Sequence, residues 1–149
     1  MRFLPVLMMI VAGACISIQG PINARLRLAT ESPVLSAAIS FLTGGLLLLV
    51  LVASGAFGGT GAGLRGLQTA PPWAFCGGAL GILFVLGSIL AIPQAGSVVV
   101  ICSAIVGQML SSYLIDTFGL LGVDKVPFSW VRLSGIAFLA VGVLLVQRK

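Results

Sequence analysis

Polar side chains that could bind a solute recur within a stretch of otherwise apolar sequence near the start of the chain. Gln19, Asn23 and Arg27 are spaced four residues apart, which places them on one face of a helix, and Arg25 lies close by. Amide groups both donate and accept hydrogen bonds, and guanidinium groups add positive charge. The pattern predicts the lining of a cavity for a small polar molecule. The alternative is ordinary hydrogen bonding between helices.

A second polar face comes later in the chain. Gln108, Ser112 and Asp116 also recur at intervals of four, and we expect Gln108 to face the first group across the cavity. Asp116 is a candidate for proton coupling at the edge of that cavity. It could equally be an interfacial cap or the ion-pair partner of Arg132 or Lys125. Ser36, Ser40 and Thr43 share helical spacing too, and for these hydroxyl groups ordinary hydrogen bonding is the favoured interpretation.

The residue types that carry most enzyme chemistry are scarce. The chain has no histidine and only three acids, which argues against a catalytic triad, a paired-carboxylate site or a zinc site. The three cysteines are scattered through apolar stretches, which argues against a disulfide framework. We therefore expect no catalytic residues, no metal site and no cofactor, and a protein that is not an enzyme.

The elements that carry these polar residues are long apolar runs. Hydrophobic residues make up 59% of the chain and charged residues 7%, against about 25% charged in soluble domains. A helix needs about 20 apolar residues to cross a bilayer. The sequence predicts an all-α integral membrane protein with a single transmembrane domain, residues 1–149. The five predicted helices cover about 3–28, 33–56, 73–92, 97–118 and 130–146.

Proline and basic residues refine this prediction. Pro21 is expected to kink the first helix without ending it, and residues 93–96 are expected to form a tight turn. The basic residues form no clustered face, so nucleic acid is not an expected partner, whereas membrane lipid is.

The basic residues are balanced between the two sides of the membrane, four on each. Arg2, Arg65, Lys125 and Arg132 fall on one side, and Arg25, Arg27, Arg148 and Lys149 on the other. An excess of Lys and Arg on the cytoplasmic side normally sets the orientation of a membrane protein, so this balance favours neither orientation. Either a partner chain or the first helix decides, or copies insert in both orientations and pair as an antiparallel dimer of ten helices.

Two glycines of the last helix suggest where such copies meet. Gly135 and Gly142 lie seven residues apart on one helix face. Small residues let membrane helices approach closely, so this face is the predicted dimer interface. The alternative is that glycine is simply common in membrane helices.

Several short motifs together resemble a known bacterial family. They are Gln19-Gly20-Pro21-Ile22-Asn23-Ala24-Arg25-Leu26, Ser40-Phe41-Leu42-Thr43-Gly44, Gly77-Gly78-Ala79-Leu80-Gly81, Gly107-Gln108 and Asp116-Thr117-Phe118-Gly119. In this order they resemble the YdcZ-like family of the drug/metabolite transporter superfamily, over essentially the whole chain. The second half, from Pro93 through Gly142-Val143, is also similar to the small multidrug resistance proteins.

The resemblance implies a half-transporter with five helices in the bacterial inner membrane. It implies antiparallel pairing with itself or with a paralogue, a cavity between subunits, and small organic metabolites or drugs as substrates. Multidrug resistance proteins carry a glutamate in their first helix, but residues 14–19 here contain no acid. Proton-for-cation exchange therefore does not carry over, and we expect a neutral, zwitterionic or anionic substrate. The alternative function is a regulatory or non-transporting subunit that pairs with a paralogous chain.

YdcZ-like chains also often have histidine where this chain has Thr117. A protonatable imidazole is therefore absent from that position.

Overall fold

The computed structural model describes residues 3–55, 63 and 66–147, and these residues form five long helices. They are α1 (Phe3–Thr30), α2 (Pro33–Ser54), α3 (Gly77–Ala95), α4 (Ser97–Phe118) and α5 (Trp130–Gln147). Short 3-10 turns at Pro72–Cys76 and Leu120–Gly122 precede α3 and follow α4. Each of the five spans, with Pro72–Ala95 taken as one, is long and apolar enough to cross a membrane. The predicted all-α architecture is confirmed, and the predicted end of the second helix at residue 56 lies outside the described residues.

Two prolines lie inside helices. α1 continues through Pro21, as the sequence predicts, and α3 continues through Pro93 to Ala95. The predicted four-residue turn at 93–96 is therefore wrong in extent. Gly96 alone interrupts the helix, with a φ of 82° that suits a residue without a Cβ atom.

A very short link joins α1 to α2. Ser32 is the N-cap of α2, where its hydroxyl accepts a hydrogen bond from the Leu35 amide at 3.2 Å, and Pro33 follows in the first turn. Glu31 adopts a φ of 54°, in the left-handed region. The Thr30 hydroxyl lies 3.1 Å from the Leu26 carbonyl, one turn back in α1, and 3.1 Å from the Ser32 carbonyl of the link. The sequence thus closes an antiparallel helix hairpin.

The chain divides into two compact units, residues 1–90 and 91–149. In the first unit, α1 packs on α2, and Ala37 of α2 forms a small core with Val85 and Ile89 of α3. Gly81 of α3 faces Phe41 of α2, where a Cβ atom would lie 3.4 Å from the ring, in van der Waals contact. This core packs α2 against α3.

In the second unit, α4 packs on α5, and residues 119–129 link them. Gly119 ends α4 with a φ of 63°. The Val126 amide donates to the Asp116 carbonyl at 2.8 Å, which fastens the link to the last turn of α4. Tyr113, Phe128 and Trp130 stack edge to face, with ring centroids 6.0 and 5.0 Å apart. Contacts at both of its ends therefore hold the link against α4 and α5.

Candidate functional site

A polar cluster joins α1 to α2 in the first unit. Gln19 and Asn23 each donate a hydrogen bond from the side-chain amide to the hydroxyl oxygen of Ser40, both at 3.2 Å. Gln19 and Asn23 lie one helical turn apart, so one acceptor on α2 can serve both. Gln19 and Ser40 are half-buried and Asn23 is buried. The structure thus brings two of the predicted site residues together.

Ser36 adds a second connection one turn earlier on α2. Its side chain is fully buried and its hydroxyl donates to the Asn23 carbonyl at 2.7 Å. Ser40 lies seven residues after the start of α2, so the cluster sits about 10 Å along that helix from the α1–α2 link. The polar groups therefore lie inside the apolar span, toward the end that carries the link.

The cluster opens on a small crevice within the same unit. Gln19, Gly20 and Asn23 of α1 line it on one side, and Phe84, Val85 and Ser88 of α3 on the other. Its volume is about 10 Å³, close to the room that a single water molecule needs. As the helices lie here, the crevice admits water and not an organic solute.

The two basic residues predicted for the site lie further along α1 than the polar cluster. Arg25 is exposed and Arg27 is half-buried. Neither guanidinium forms an ion pair or a hydrogen bond with another described residue. Their positive charge is available to a ligand, to lipid phosphate or to water.

The second predicted face lies in the second unit, on α4. Gln108 and Ser112 are exposed, and their side chains bond to none of the described residues. Whether Gln108 faces the polar cluster of α1 stays a prediction.

Asp116 has a partner. Its Oδ2 lies 3.3 Å from Nη1 of Arg132, which is one of the arrangements that the sequence left open. No ion pair to Lys125 occurs among the described residues. The side chains of Asp116 and Arg132 remain 35% and 50% exposed, so both can also meet a ligand.

The glycine face of α5 is open in the single chain. No described atom lies within 4 Å of a Cβ atom built on Gly135 or Gly142. Both glycines line an apolar groove of about 350 Å³ with Cys102, Ile105, Phe138 and Val146. The face has room for a neighbouring helix, and the assignment to a dimer stays a prediction.

Some residues of these sites gave little sign of their role in the sequence. Ser36 and Ser40 show helical spacing, but nothing in the pattern distinguishes them from structural serines. Ser88 is a lone hydroxyl in an apolar run, and Tyr113 is the only tyrosine. Within residues 3–55, 63 and 66–147, no three His, Cys, Asp or Glu side chains come together as metal ligands would.

Comparison with known proteins gives the family. The family described as "Putative inner membrane exporter, YdcZ" matches residues 4–145, nearly the whole chain, and the chain belongs to it. Neither the curated proteins nor the solved structures yield a significant match. The resemblance to the YdcZ-like family noted in the sequence is confirmed. The location in the inner membrane is confirmed too, since it agrees with five helices that can span a bilayer.

Proposed function

We propose that this member of the YdcZ exporter family carries a small polar organic molecule across the inner membrane along the polar face of α1. Membership of an exporter family supports a transporter rather than an enzyme. The observation that carries the proposal is the pair of amides, Gln19 and Asn23, that share the Ser40 hydroxyl inside an apolar span. Polar groups in such spans are costly and generally mark a substrate or ion path.

The side chains of the polar cluster can form further hydrogen bonds. With both amide nitrogens bound to Ser40, the oxygens Oε1 of Gln19 and Oδ1 of Asn23 accept nothing from the described residues. No buried polar side-chain atom of the described part lacks a partner, so these two oxygens are not sealed off. Turning either amide by 180° exchanges acceptor for donor. The cluster therefore suits a ligand that carries both hydroxyl or N–H groups and oxygen acceptors.

Charge narrows the class of ligand. The α1 helix carries Arg25 and Arg27 six and eight residues beyond Gln19, and neither α1 nor α2 contains an acid. A bare cation would lack a counter-charge there, and burying an unpaired ion costs several kcal/mol. The substrate is accordingly neutral, zwitterionic or anionic.

A crevice of about 10 Å³ must widen before such a molecule can enter it. We propose that a second copy completes the path, in an antiparallel dimer that meets at Gly135 and Gly142. Gln108, Ser112 and Asp116 then line the cavity between subunits, with Asp116 at its edge. The open glycine face supports this arrangement. So does the balance of basic residues, of which Arg2, Arg65, Arg148 and Lys149 lie outside the described residues.

The test is transport by the purified chain alone. Proteoliposomes with and without the protein are incubated with a small-molecule extract of bacterial cells, and their contents are compared by mass spectrometry. We expect selective accumulation of polar, non-cationic compounds, and loss of that accumulation with Asn23→Leu. No accumulation by the well-folded chain alone would contradict the proposal. Accumulation only after addition of a paralogous five-helix chain would instead support the alternative, a subunit that works with a paralogue.

A further inference from the structure

The second unit contains a larger cavity where α4 ends and α5 begins. Its volume is about 530 Å³, within the range of ligand pockets. One part of the lining is apolar or aromatic, contributed by Met109, Tyr113, Val131, Ile136, Leu139 and Gly135, the last of which also lines the glycine groove. The other part is the Asp116–Arg132 ion pair. We call this space the α4–α5 cavity.

The ion pair uses only part of the hydrogen-bonding capacity of its two side chains. One carboxylate oxygen of Asp116 meets one guanidinium nitrogen of Arg132, at 3.3 Å. The other carboxylate oxygen and the remaining guanidinium N–H groups bond to none of the described residues. A guanidinium has five N–H donors, so both charges can bind a further group without first separating.

The mouth of the α4–α5 cavity is held in place by hydrogen bonds. The Tyr113 hydroxyl accepts from the Ser129 amide at 3.3 Å and donates to the Ser129 carbonyl at 3.4 Å. Ser129 also caps α5, since its hydroxyl accepts from the Arg132 amide at 3.4 Å. A preformed site loses less conformational entropy when its ligand binds.

The position of the cavity in the membrane follows from its residues. Asp116 lies two residues before the end of α4, and Arg132 two residues after the start of α5, so both charges lie at one membrane surface. Phe128 and Trp130 precede Arg132 by four and two residues, and their rings contact each other at this end of α5, as aromatic residues of an interfacial belt do. Leu139 lies about 10 Å deeper along α5, in the hydrocarbon. The cavity thus has charges at headgroup level and an apolar wall beneath them.

We propose that the α4–α5 cavity binds a phospholipid that carries a primary ammonium group, such as phosphatidylethanolamine. The lipid phosphate binds Arg132 and the first turn of α5, where a helix favours an anion. The ammonium group donates to Asp116. The upper part of an acyl chain packs against Met109, Ile136 and Leu139. Asp116 also stands at the edge of the proposed substrate cavity, so this inference assigns its carboxylate to the lipid headgroup and leaves Gln108 and Ser112 to the substrate.

A lipid fits these charges better than a second copy of the chain does. The described helices α2 and α3 carry no charged residue, so either of them placed here from a second copy would leave the remaining N–H and carboxylate groups without a charged partner. Desolvating charges without partners is costly. A zwitterionic headgroup places one phosphate and one ammonium group at the level of the two charges. Basic pockets between membrane helices bind the phosphate groups of lipid headgroups.

The proposal predicts selectivity among headgroups. Phosphatidylglycerol offers the phosphate but no ammonium group, and phosphatidylcholine offers a quaternary ammonium without N–H donors. One charge-assisted hydrogen bond corresponds to roughly a tenfold change in affinity. We therefore expect the purified full chain to retain phosphatidylethanolamine roughly tenfold more tightly than the other two, with acyl chains matched, in native mass spectrometry.

Two charge variants separate the roles of the pair. Asp116→Asn should abolish the preference for phosphatidylethanolamine over phosphatidylglycerol while phosphate binding by Arg132 persists. Arg132→Gln should lower retention of all three lipids. The matched controls are Asp124→Asn and Lys125→Gln, which alter charges of the same link outside the cavity lining, and we expect both to behave as the native chain.

A third variant tests the apolar wall without touching a charge. Met109 is 43% exposed and lines the α4–α5 cavity but not the glycine groove. Met109→Trp should fill part of the space and lower retention of all three lipids. The proposal is overturned if the native chain shows no headgroup preference or if Asp116→Asn keeps it. It is also overturned if a photoreactive residue at position 109 crosslinks to a second copy rather than to lipid.

Discussion

Ser36 of α2 donates a hydrogen bond of 2.7 Å to the backbone carbonyl of Asn23 on α1. The side-chain amide of Asn23 instead donates to Ser40, one turn further along α2. The two serines of α2 therefore meet different parts of one residue. Ser36 binds the backbone and fixes the distance between α1 and α2. Ser40 binds the side chain and holds the amide in the crevice.

This division predicts different results for two alanine variants. Ser36→Ala should lower the free energy of unfolding by about 1 kcal/mol and leave transport of the compounds found with the native chain nearly unchanged. Ser40→Ala should leave both amides without their acceptor and lower transport at least severalfold, with a smaller loss of stability. Unfolding in denaturing detergent and transport in proteoliposomes measure the two effects. Equal loss of transport in both variants would contradict the separation of roles.

The amides themselves are tested by leucine. Gln19→Leu, Asn23→Leu and Gln108→Leu keep a side chain of similar size and remove the hydrogen-bonding groups, so each should lower uptake by roughly tenfold if one hydrogen bond to the substrate is lost. Gln147→Leu is the matched control, because Gln147 ends α5 and lies in none of the sites described above. Normal transport by all three variants would make these residues structural contacts.

Orientation in the membrane is tested by reporter fusions at Lys149. With four basic residues on each side, we expect comparable signal from both sides of the membrane. Two lysines added after Arg65 should shift the protein to one orientation, because they break the balance. A single strong orientation of the native chain would rule out dual topology and favour a heterodimer.

The glycine face is tested by bulky replacements that the single chain can accept. Since no described atom lies within 4 Å of a Cβ at Gly135 or Gly142, leucine there should leave the fold of one copy intact. Each variant should weaken dimer formation by tenfold or more, about 1.4 kcal/mol, as measured by single-molecule association in bilayers. Gly87→Leu is the control, because that position is equally open but lies on α3. Unchanged association in both α5 variants would place the interface elsewhere.

The sequence predicted the helices well because the bilayer imposes a strong rule. The run from Ser97 to Phe118 contains one charge, near its end, and its helix has the predicted bounds. The sequence also predicted that Gln19 and Asn23 share a face. It could not predict that Ser40 would meet both, because the register between α1 and α2 depends on contacts between the two helices, such as the hydrogen bond from Ser36 to the Asn23 carbonyl.

The partner of Asp116 was undetermined for a similar reason. Lys125 and Arg132 both follow α4, and the sequence contains no rule that selects between them. The backbone contact from Val126 to Asp116 and the cap at Ser129 place Arg132 beside the carboxylate.

The unequal lengths of the helices bear on the thickness of the membrane that this protein can occupy. α1 has 28 residues and α5 has 18, which correspond to about 42 and 27 Å, against about 30 Å of hydrocarbon. α1 can tilt or project into the headgroups to fit bilayers of different thickness. The described part of α5 is about 3 Å shorter than that thickness, so a thick bilayer must thin around it or draw Arg132 below the surface. Among the described helices α5 is the shortest, and it therefore suits thin membranes better than thick ones.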